Sequence, residues 1–260
     1  MSNSHSPDTS LIWQVGWQRH METANKLYLI ACNVLYREFS YCISRSKNIV
    51  DAKFMPKGLH DMGEAKMKQA LQEEIDKAQG YDAILLGYGL CGMGLRGLRS
   101  EQKMVVPRAH DCITLLMGSR AAYQEYSKAN PGTYFRSTGW VERSQSGIDG
   151  KSLTTQLGFQ PTLEDYIEQY GEDNGRYLFE TLSGAQNYTT LGYIELGIAP
   201  EHIEEAQEEA QEKNWEFRRI QGRLDVFQNL VDGIWDDDFL IVEPGKSIQP
   251  THDDDVIKAD

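Results

Sequence analysis

Short apolar segments alternate with helix-forming segments along most of this chain, and this alternation restricts the fold more than any other feature. Residues 26–31, 81–86 and 103–107 have the length and composition of buried strands, while residues 61–78 are rich in strong helix formers. Strands separated by helices are typical of a parallel sheet that is covered on both faces. The sequence therefore predicts an α/β protein built of doubly wound, flavodoxin- or Rossmann-like units.

Other segments extend the same alternation. The pattern predicts helices at 34–44, 112–128, 201–213 and 224–230, and strands at 48–55, 133–137, 191–196, 215–220 and 239–243. Residues 130–159 are otherwise rich in Gly, Ser and Thr and predict loops, and Thr162 begins a capped helix.

Four regions follow from this pattern. We expect residues 1–24 to form a loose arm and residues 25–145 to form a first α/β half. Residues 146–246 form a second half or continue the same sheet, and residues 247–260 form an acidic, frayed tail. Tryptophans in the arm make it a candidate contact for a homodimer.

Composition narrows the class of protein. The formal net charge of −13 argues against nucleic acid or an anionic membrane as the main partner. No apolar stretch approaches the roughly 20 residues that span a bilayer, and residues 1–10 lack a hydrophobic signal segment. Four cysteines are too few for a secreted disulfide framework in a chain of 260 residues. We therefore expect a cytoplasmic protein with reduced thiols.

Three of the four cysteines lie where predicted strands end. Cys32 follows the first strand, Cys91 lies in the turn after the strand at 81–86, and Cys112 follows the next. Ligands of open α/β sheets bind at the carboxyl ends of parallel strands. We therefore predict that these thiols form a metal or cluster site, whereas Cys42 lies within a predicted helix and belongs to the core.

Glycines surround Cys91. Gly87, Gly89 and Gly92 match the G-x-G-x-x-G pattern of dinucleotide-binding turns. However, residues 93–99 make a poor helix, and a helix N-terminus is what would bind the pyrophosphate. We therefore interpret Gly89 and Gly92 as small residues that let the backbone fold tightly around Cys91 and expose its amides to a cofactor.

A compact polar sequence precedes Cys112. Asp111 is a plausible helix N-cap, which would place the Cys112 thiol at the positive end of the helix and stabilise its thiolate. His110 could serve as a ligand, a proton donor or a hydrogen-bond partner of a ligand; the alternative is an ordinary loop histidine.

The loop around residues 131–142 is a candidate substrate site. Arg136 could clamp a carboxylate or phosphate, and Tyr134 and Trp140 could wall a pocket. The alternative is a hairpin whose aromatic side chains cover the sheet. His60 is a further candidate at the same rim, because it follows the second predicted strand.

Several motifs carry a family resemblance: Ala31-Cys32-Asn33-Val34-Leu35, Gly87-Tyr88-Gly89-Leu90-Cys91-Gly92, Pro107-Arg108-Ala109-His110-Asp111-Cys112-Ile113 and Pro131-Gly132-Thr133-Tyr134. Over about residues 26–200 the chain resembles the domain-of-unknown-function family 1638 (DUF1638). The resemblance implies a prokaryotic origin and, through genomic association, a link to corrinoid-dependent methyl transfer. The family pattern has a glycine where this chain has Asn33, so the turn after Cys32 differs.

Three thiolates suit either an iron–sulfur cluster with one open iron or a zinc ion with one open position. Ligands from separate strand ends favour a catalytic over a structural site, and we prefer a [4Fe–4S] cluster to zinc. The leading hypothesis is an enzyme acting on a small molecule, with His110 as acid–base group or fourth ligand and Arg136 as substrate anchor. The alternatives are a metal carrier, such as a metallochaperone or a partner of a corrinoid protein, and a metal-free enzyme with Cys112 as nucleophile and His110 as base.

Overall fold

The computed structural model describes residues 24–91, 93–145, 167, 188–251 and 255–260. The strands are β1 Lys26–Cys32, β2 Ile49–Met55, β3 Ala83–Gly87, β4 Met104–Pro107, β5 Thr133–Ser137, β6 Thr190–Glu195, β7 Glu216–Gln221, β8 Phe239–Val242, β9 Ile248–Pro250 and β10 Ile257–Ala259. The α-helices are α1 Tyr36–Ile43, α2 Glu64–Lys77, α3 Cys112–Leu116, α4 Arg120–Ala129, α5 Thr138–Gln145, α6 Ile203–Glu212 and α7 Asp225–Asp232. Short 3₁₀ turns, Asn33–Leu35 and Lys57–Met62, follow β1 and β2.

The larger sheet has the strand order β2-β1-β3-β4-β8. Strands β1 to β4 pair in parallel, and β8 pairs antiparallel with β4. Consecutive side chains of a strand point to opposite faces, so Leu85 of β3 packs with α1 and α7 while Ile84 and Leu86 pack with α2. Burial on both faces explains the unbroken apolar sequences of β3 and β4. The predicted α/β class is confirmed.

The smaller sheet has the order β5-β6-β7, and all its strands are parallel. Leu191 and Tyr193 on one face of β6 pack against α6. Ile194 of β6 points to the other face and joins the core of the larger sheet together with Leu116 and Ile220. The two sheets therefore share one hydrophobic core, which fixes the position of β5 and α5 beside the end of β1.

The C-terminal residues belong to the larger sheet and its surroundings. The strand predicted at 239–243 is β8, which pairs with β4 rather than extending the second alternating set. β9 and β10 form an antiparallel pair, and Ile248 and Ile257 are fully buried. The expectation of a frayed tail is therefore wrong for the described part of residues 247–260, because these apolar side chains pack against the larger sheet.

Two local predictions differ from the structure. The helix predicted at 112–128 is divided into α3 and α4 at Gly118, whose φ of +84° lies in the left-handed region. Helix α5 occupies a segment that was predicted as loop. Its first residue, Thr138, is fixed by Tyr193 at 2.9 Å and by a hydrogen bond to Glu201 at 3.0 Å, contacts that the local composition does not reveal.

Two further expectations lie outside the described residues: most of the N-terminal arm and the helix that begins at Thr162. Within the described part of the chain, the helices are all too short or too polar to cross a membrane.

Candidate functional site

The three strand-end cysteines meet at one pocket. Cys32 is the last residue of β1, and Cys91 and Cys112 follow β3 and β4, which are the next two strands of the same sheet. Because these strands are parallel and adjacent, their carboxyl ends lie side by side. The thiol pocket is lined by Cys32, Val34, Leu35, Pro56, Lys57, Leu59, Met67, Gly87, Tyr88, Cys91, Cys112 and Trp140.

The loop that carries Cys91 is bonded to the loop that carries Cys112. The amide of Leu90 donates to the Ala109 carbonyl at 2.8 Å, and the amide of Cys91 donates to the His110 carbonyl at 2.9 Å. A β-carbon on Gly89 would lie only 2.6 Å from the backbone nitrogen of Asp111. Gly89 is therefore required for close approach of the two loops, rather than for contact with a nucleotide.

Cys91 has an unusual backbone conformation. Its φ of +45° lies in the left-handed region, which costs a non-glycine residue about 1–2 kcal/mol. Such conformations cluster at functional sites, where the surrounding structure holds them in place. Here the bonded loops aim the Cys91 thiol at the pocket despite the unfavourable torsion.

The surroundings of Cys91 and Cys112 disfavour free thiolates. Burial raises the pKa of the Cys91 thiol to about 12, and the neighbouring Cys32 and Asp111 act in the same direction. The backbone amides of Gly89 and Cys112 act in the opposite direction and partly offset this rise in pKa. For Cys112, burial also raises the pKa well above the ordinary value.

The helix N-terminus was expected to stabilise the Cys112 thiolate, but in the structure the pKa of this thiol is raised. Asp111 is the N-cap, as predicted, and its carboxylate accepts a hydrogen bond from the Thr114 amide at 2.9 Å. However, α3 has only five residues, so its dipole is weak. Burial outweighs it, and the indole N–H of Trp140 lowers the pKa of the Cys112 thiol only in part.

The pocket is small, and most of its lining is apolar. Its cavity volume is about 30 Å³. Apart from the cysteines, the lining residues that carry polar groups are Lys57, Tyr88 and Trp140. The Lys57 ammonium lies 5.4 Å from the centre of the Trp140 ring. Trp140 was predicted as a pocket wall, whereas Lys57 and Tyr88 were not predicted.

Among the described residues, the predicted site residues Gly89, His110 and Arg136 do not line the thiol pocket. His110 is exposed, and its backbone carbonyl, rather than its ring, is bonded to Cys91. Gly92 and the side chain of His60 lie outside the described residues. The reactive groups gathered at this pocket are therefore the thiols and not the His110 imidazole.

Arg136 is held by an ion pair. Its guanidinium donates to both carboxylate oxygens of Glu209, at 2.8 and 2.7 Å, and lies 4.6 Å from the centre of the Tyr134 ring. Arg136, Tyr134 and Trp140 line a neighbouring cleft of about 360 Å³, which Asp111 and Ile113 also border. Trp140 therefore separates this cleft from the thiol pocket.

The spacing of donors bears on which group could bind. Within the described ranges, no three His, Cys, Asp or Glu side chains are placed to hold a single metal ion. Around one zinc ion, tetrahedral bonds of about 2.3 Å would bring the sulfurs to about 3.8 Å from one another. A polynuclear iron–sulfur cluster binds each thiolate through a different iron, so it accepts more widely spaced sulfurs.

We expect Gly139→Ala to destabilise the protein by about 1–3 kcal/mol, because Gly139 joins α5 to the turn after Cys32. A β-carbon there would lie 1.8 Å from the Val34 carbonyl oxygen, so α5 or that turn must move. Denaturant unfolding measures the loss. The control is Gly197→Ala, which strains a φ of +67° but meets no atom within 4 Å. Equal losses in both variants would contradict the importance of this contact.

Comparison with known families supports the resemblance seen in the motifs. A family described as a protein of unknown function (DUF1638) matches residues 54–231. The matched span includes Cys91 and Cys112, and Cys32 precedes it. No curated protein and no solved structure matches the chain.

Proposed function

The chain belongs to the DUF1638 family, whose function is unknown, and we propose from its thiol pocket that it is a metal- or cluster-dependent enzyme for a small molecule. Cys32, Cys91 and Cys112 would bind the group, with an iron–sulfur cluster preferred to zinc. The observation that supports this proposal is the convergence of three thiols from three adjacent strand ends on one apolar pocket.

The charges around the thiols favour the binding of a cation. Burial and mutual repulsion keep the Cys91 and Cys112 thiols protonated in the free protein. A coordinating thiol, by contrast, is deprotonated outright, because the metal charge outweighs these effects. When bound, the group would supply an open coordination position that acts as a Lewis acid.

Backbone groups around the thiols would support such a centre. The amides of Gly89 and Cys112 act to lower the pKa of the Cys91 thiol, and the indole N–H of Trp140 acts to lower that of the Cys112 thiol, so these donors lie near the sulfurs. Hydrogen bonds to sulfur ligands tune the potential of iron–sulfur clusters. His110, exposed at the same rim, would exchange protons with a substrate, whereas Arg136 would have to leave Glu209 before it could bind one.

Two other functions use the same pocket. A metal carrier, for example one that docks a corrinoid or methyl-transfer protein as the family resemblance implies, would release its metal to a partner. A metal-free enzyme would use Cys112 as nucleophile and His110 as base. The exposed position of His110 and the raised pKa of the Cys112 thiol favour the metal-dependent function over the latter.

Elemental analysis tests the proposal. We expect protein purified without oxygen to contain iron and sulfide, or zinc, in near-stoichiometric amount, with a visible absorption band if iron is present. Metal-free protein with an intact fold, purified from cells supplied with iron and zinc, would contradict the proposal.

Cysteine variants locate the centre. We expect Cys91→Gly to lose at least nine-tenths of the metal while remaining folded, because glycine relieves the left-handed torsion at this position. Cys112→Ala should also lose the metal. Cys42→Ala is the matched control, since Cys42 is fully buried on α1 and does not line the pocket. Full retention of metal in a Cys91→Gly, Cys112→Ala double variant would contradict the assignment.

A further inference from the structure

Tyr88 has a buried hydroxyl without a partner in the described part of the chain. The residue is 3% exposed and lines the thiol pocket, and its hydroxyl makes no hydrogen bond to any described residue. An unsatisfied buried polar group typically costs about 1–3 kcal/mol. A hydroxyl in this position is therefore a candidate donor to whatever fills the pocket.

Two of the thiols act on the Tyr88 phenol. Burial raises the pKa of the Tyr88 phenol well above its ordinary value, and the charges of Cys32 and Cys91 raise it further. A phenol is a hydrogen-bond donor at neutral pH, and ionised sulfurs are acceptors only. The Tyr88 phenol would then act only as a donor toward them.

Lys57 brings a positive charge to the same pocket. It begins the 3₁₀ turn after β2, the strand that neighbours β1, and its ammonium lies 5.4 Å from the Trp140 ring centre. Five other side chains of the lining are apolar: Val34, Leu35, Pro56, Leu59 and Met67.

A thiolate-bound group in this pocket would carry net negative charge, because three thiolates outweigh a divalent cation. Burying such a charge in apolar surroundings is costly unless a nearby cation and hydrogen bonds compensate it. Among the lining residues, Lys57 carries a cation, and Tyr88 carries a hydroxyl that has no partner among the described residues.

We propose that Tyr88 and Lys57 are positioning residues of the thiol centre. The Tyr88 hydroxyl donates a hydrogen bond to the sulfur of Cys32 or Cys91, and the Lys57 ammonium offsets the negative charge of the thiolates. This inference rests on the proposed function, since both roles require a bound metal or cluster.

Two variants test it. We expect Tyr88→Phe and Lys57→Met each to lower metal affinity by about 10- to 100-fold in competition with a chelator, the usual effect of losing a partner of a metal ligand. If the centre is a cluster, both variants should lower its reduction potential, because the reduced form loses a hydrogen bond or a compensating charge. Metal-free Tyr88→Phe should be at least as stable as the original protein, since it removes an unsatisfied hydroxyl.

Matched variants elsewhere serve as controls. The Tyr81 hydroxyl donates to Asp51 at 2.8 Å, and Lys68 lines a separate polar cleft, so Tyr81→Phe and Lys68→Met should leave metal affinity unchanged. This inference alone would be overturned if the original protein binds metal and the Tyr88→Phe and Lys57→Met variants keep the same metal affinity and reduction potential. An original protein that binds neither iron nor zinc would overturn the proposed function itself.

Discussion

Iodoacetamide should alkylate Cys91 of the folded, metal-free protein about a thousandfold more slowly at pH 7 than the same cysteine after unfolding. The thiolate is the reactive form, and a pKa of about 12 leaves roughly one thiol in 10⁵ ionised at pH 7. An ordinary cysteine with a pKa of about 8.5 is ionised to a few per cent. Mass spectrometry of the alkylated peptides gives the rate at each cysteine.

The pH dependence of the rate separates a raised pKa from simple protection. With a pKa near 12, the rate at Cys91 should rise about tenfold for each pH unit up to pH 9.5, without levelling off. A thiol that reacts only after global unfolding would instead level off near the pKa of an unfolded cysteine. Burial raises the pKa of Cys42 to about 12 as well, so Cys42 provides a comparison away from the pocket.

Fast alkylation would favour a different function. If Cys112 of the folded protein reacted faster at pH 7 than an unfolded cysteine, the metal-free nucleophilic mechanism would gain support. Protection of Cys91 and Cys112 by added metal, but not of Cys42, would favour the metal-dependent function.

That the three thiols lie at one edge of the sheet could be predicted, because it depends on strand direction alone. β1, β3 and β4 read as buried strands, and parallel strands deliver whatever follows them to one edge. That the strands are also adjacent in the sheet is set by tertiary packing, and the sequence pattern leaves it open. The same argument assigned Cys42 to the core, and it is fully buried there.

Other features of the site depend on contacts between distant parts of the chain. The sequence suggests Arg136 as a substrate anchor, but Glu209, 73 residues later, binds its guanidinium. Composition predicts one long helix from residue 112, and with it a strong dipole at the Cys112 thiol. The actual α3 has only five residues, so its dipole stabilises the thiolate less. Lys57 and Tyr88 escaped notice because loop positions, rather than any motif, bring them to the thiols. For Tyr88 the sequence did contain one signal, namely its position in the glycine turn three residues before Cys91.

Glu38 carries the other large expected effect, because it is a buried carboxyl. It lies on α1 and is 1% exposed, and its Oε2 has no hydrogen-bond partner among the described residues. Burial raises the pKa of this carboxyl to about 7, and the neighbouring Glu142 and Glu201 act in the same direction, while Arg37 opposes them. Folding therefore becomes costly as the carboxyl ionises.

The sign of the effect on stability follows from proton linkage. Between about pH 4.5 and pH 7 the folded state holds a proton on Glu38 that the unfolded state has lost, so stability falls as pH rises through this range. We expect Glu38→Gln to raise the free energy of unfolding at pH 8 by up to about 3 kcal/mol and to change it little at pH 4.5. Urea unfolding at several pH values measures the difference.

Glu142→Gln is the matched control, with the opposite sign. The guanidinium of Arg37, 2.6 Å away, lowers the pKa of the Glu142 carboxyl, so this ion pair contributes stability above the unfolded pKa and loses it as pH falls. The Glu142 variant should therefore be less stable than the original protein at pH 8. A Glu38→Gln variant stabilised equally at pH 4.5 and pH 8 would exclude a raised pKa as the cause. A gain in unfolding free energy that appears only at the higher pH would establish that the Glu38 carboxyl weakens the fold at neutral pH. This carboxyl lies on α1, one turn beyond Leu35 in the wall of the thiol pocket.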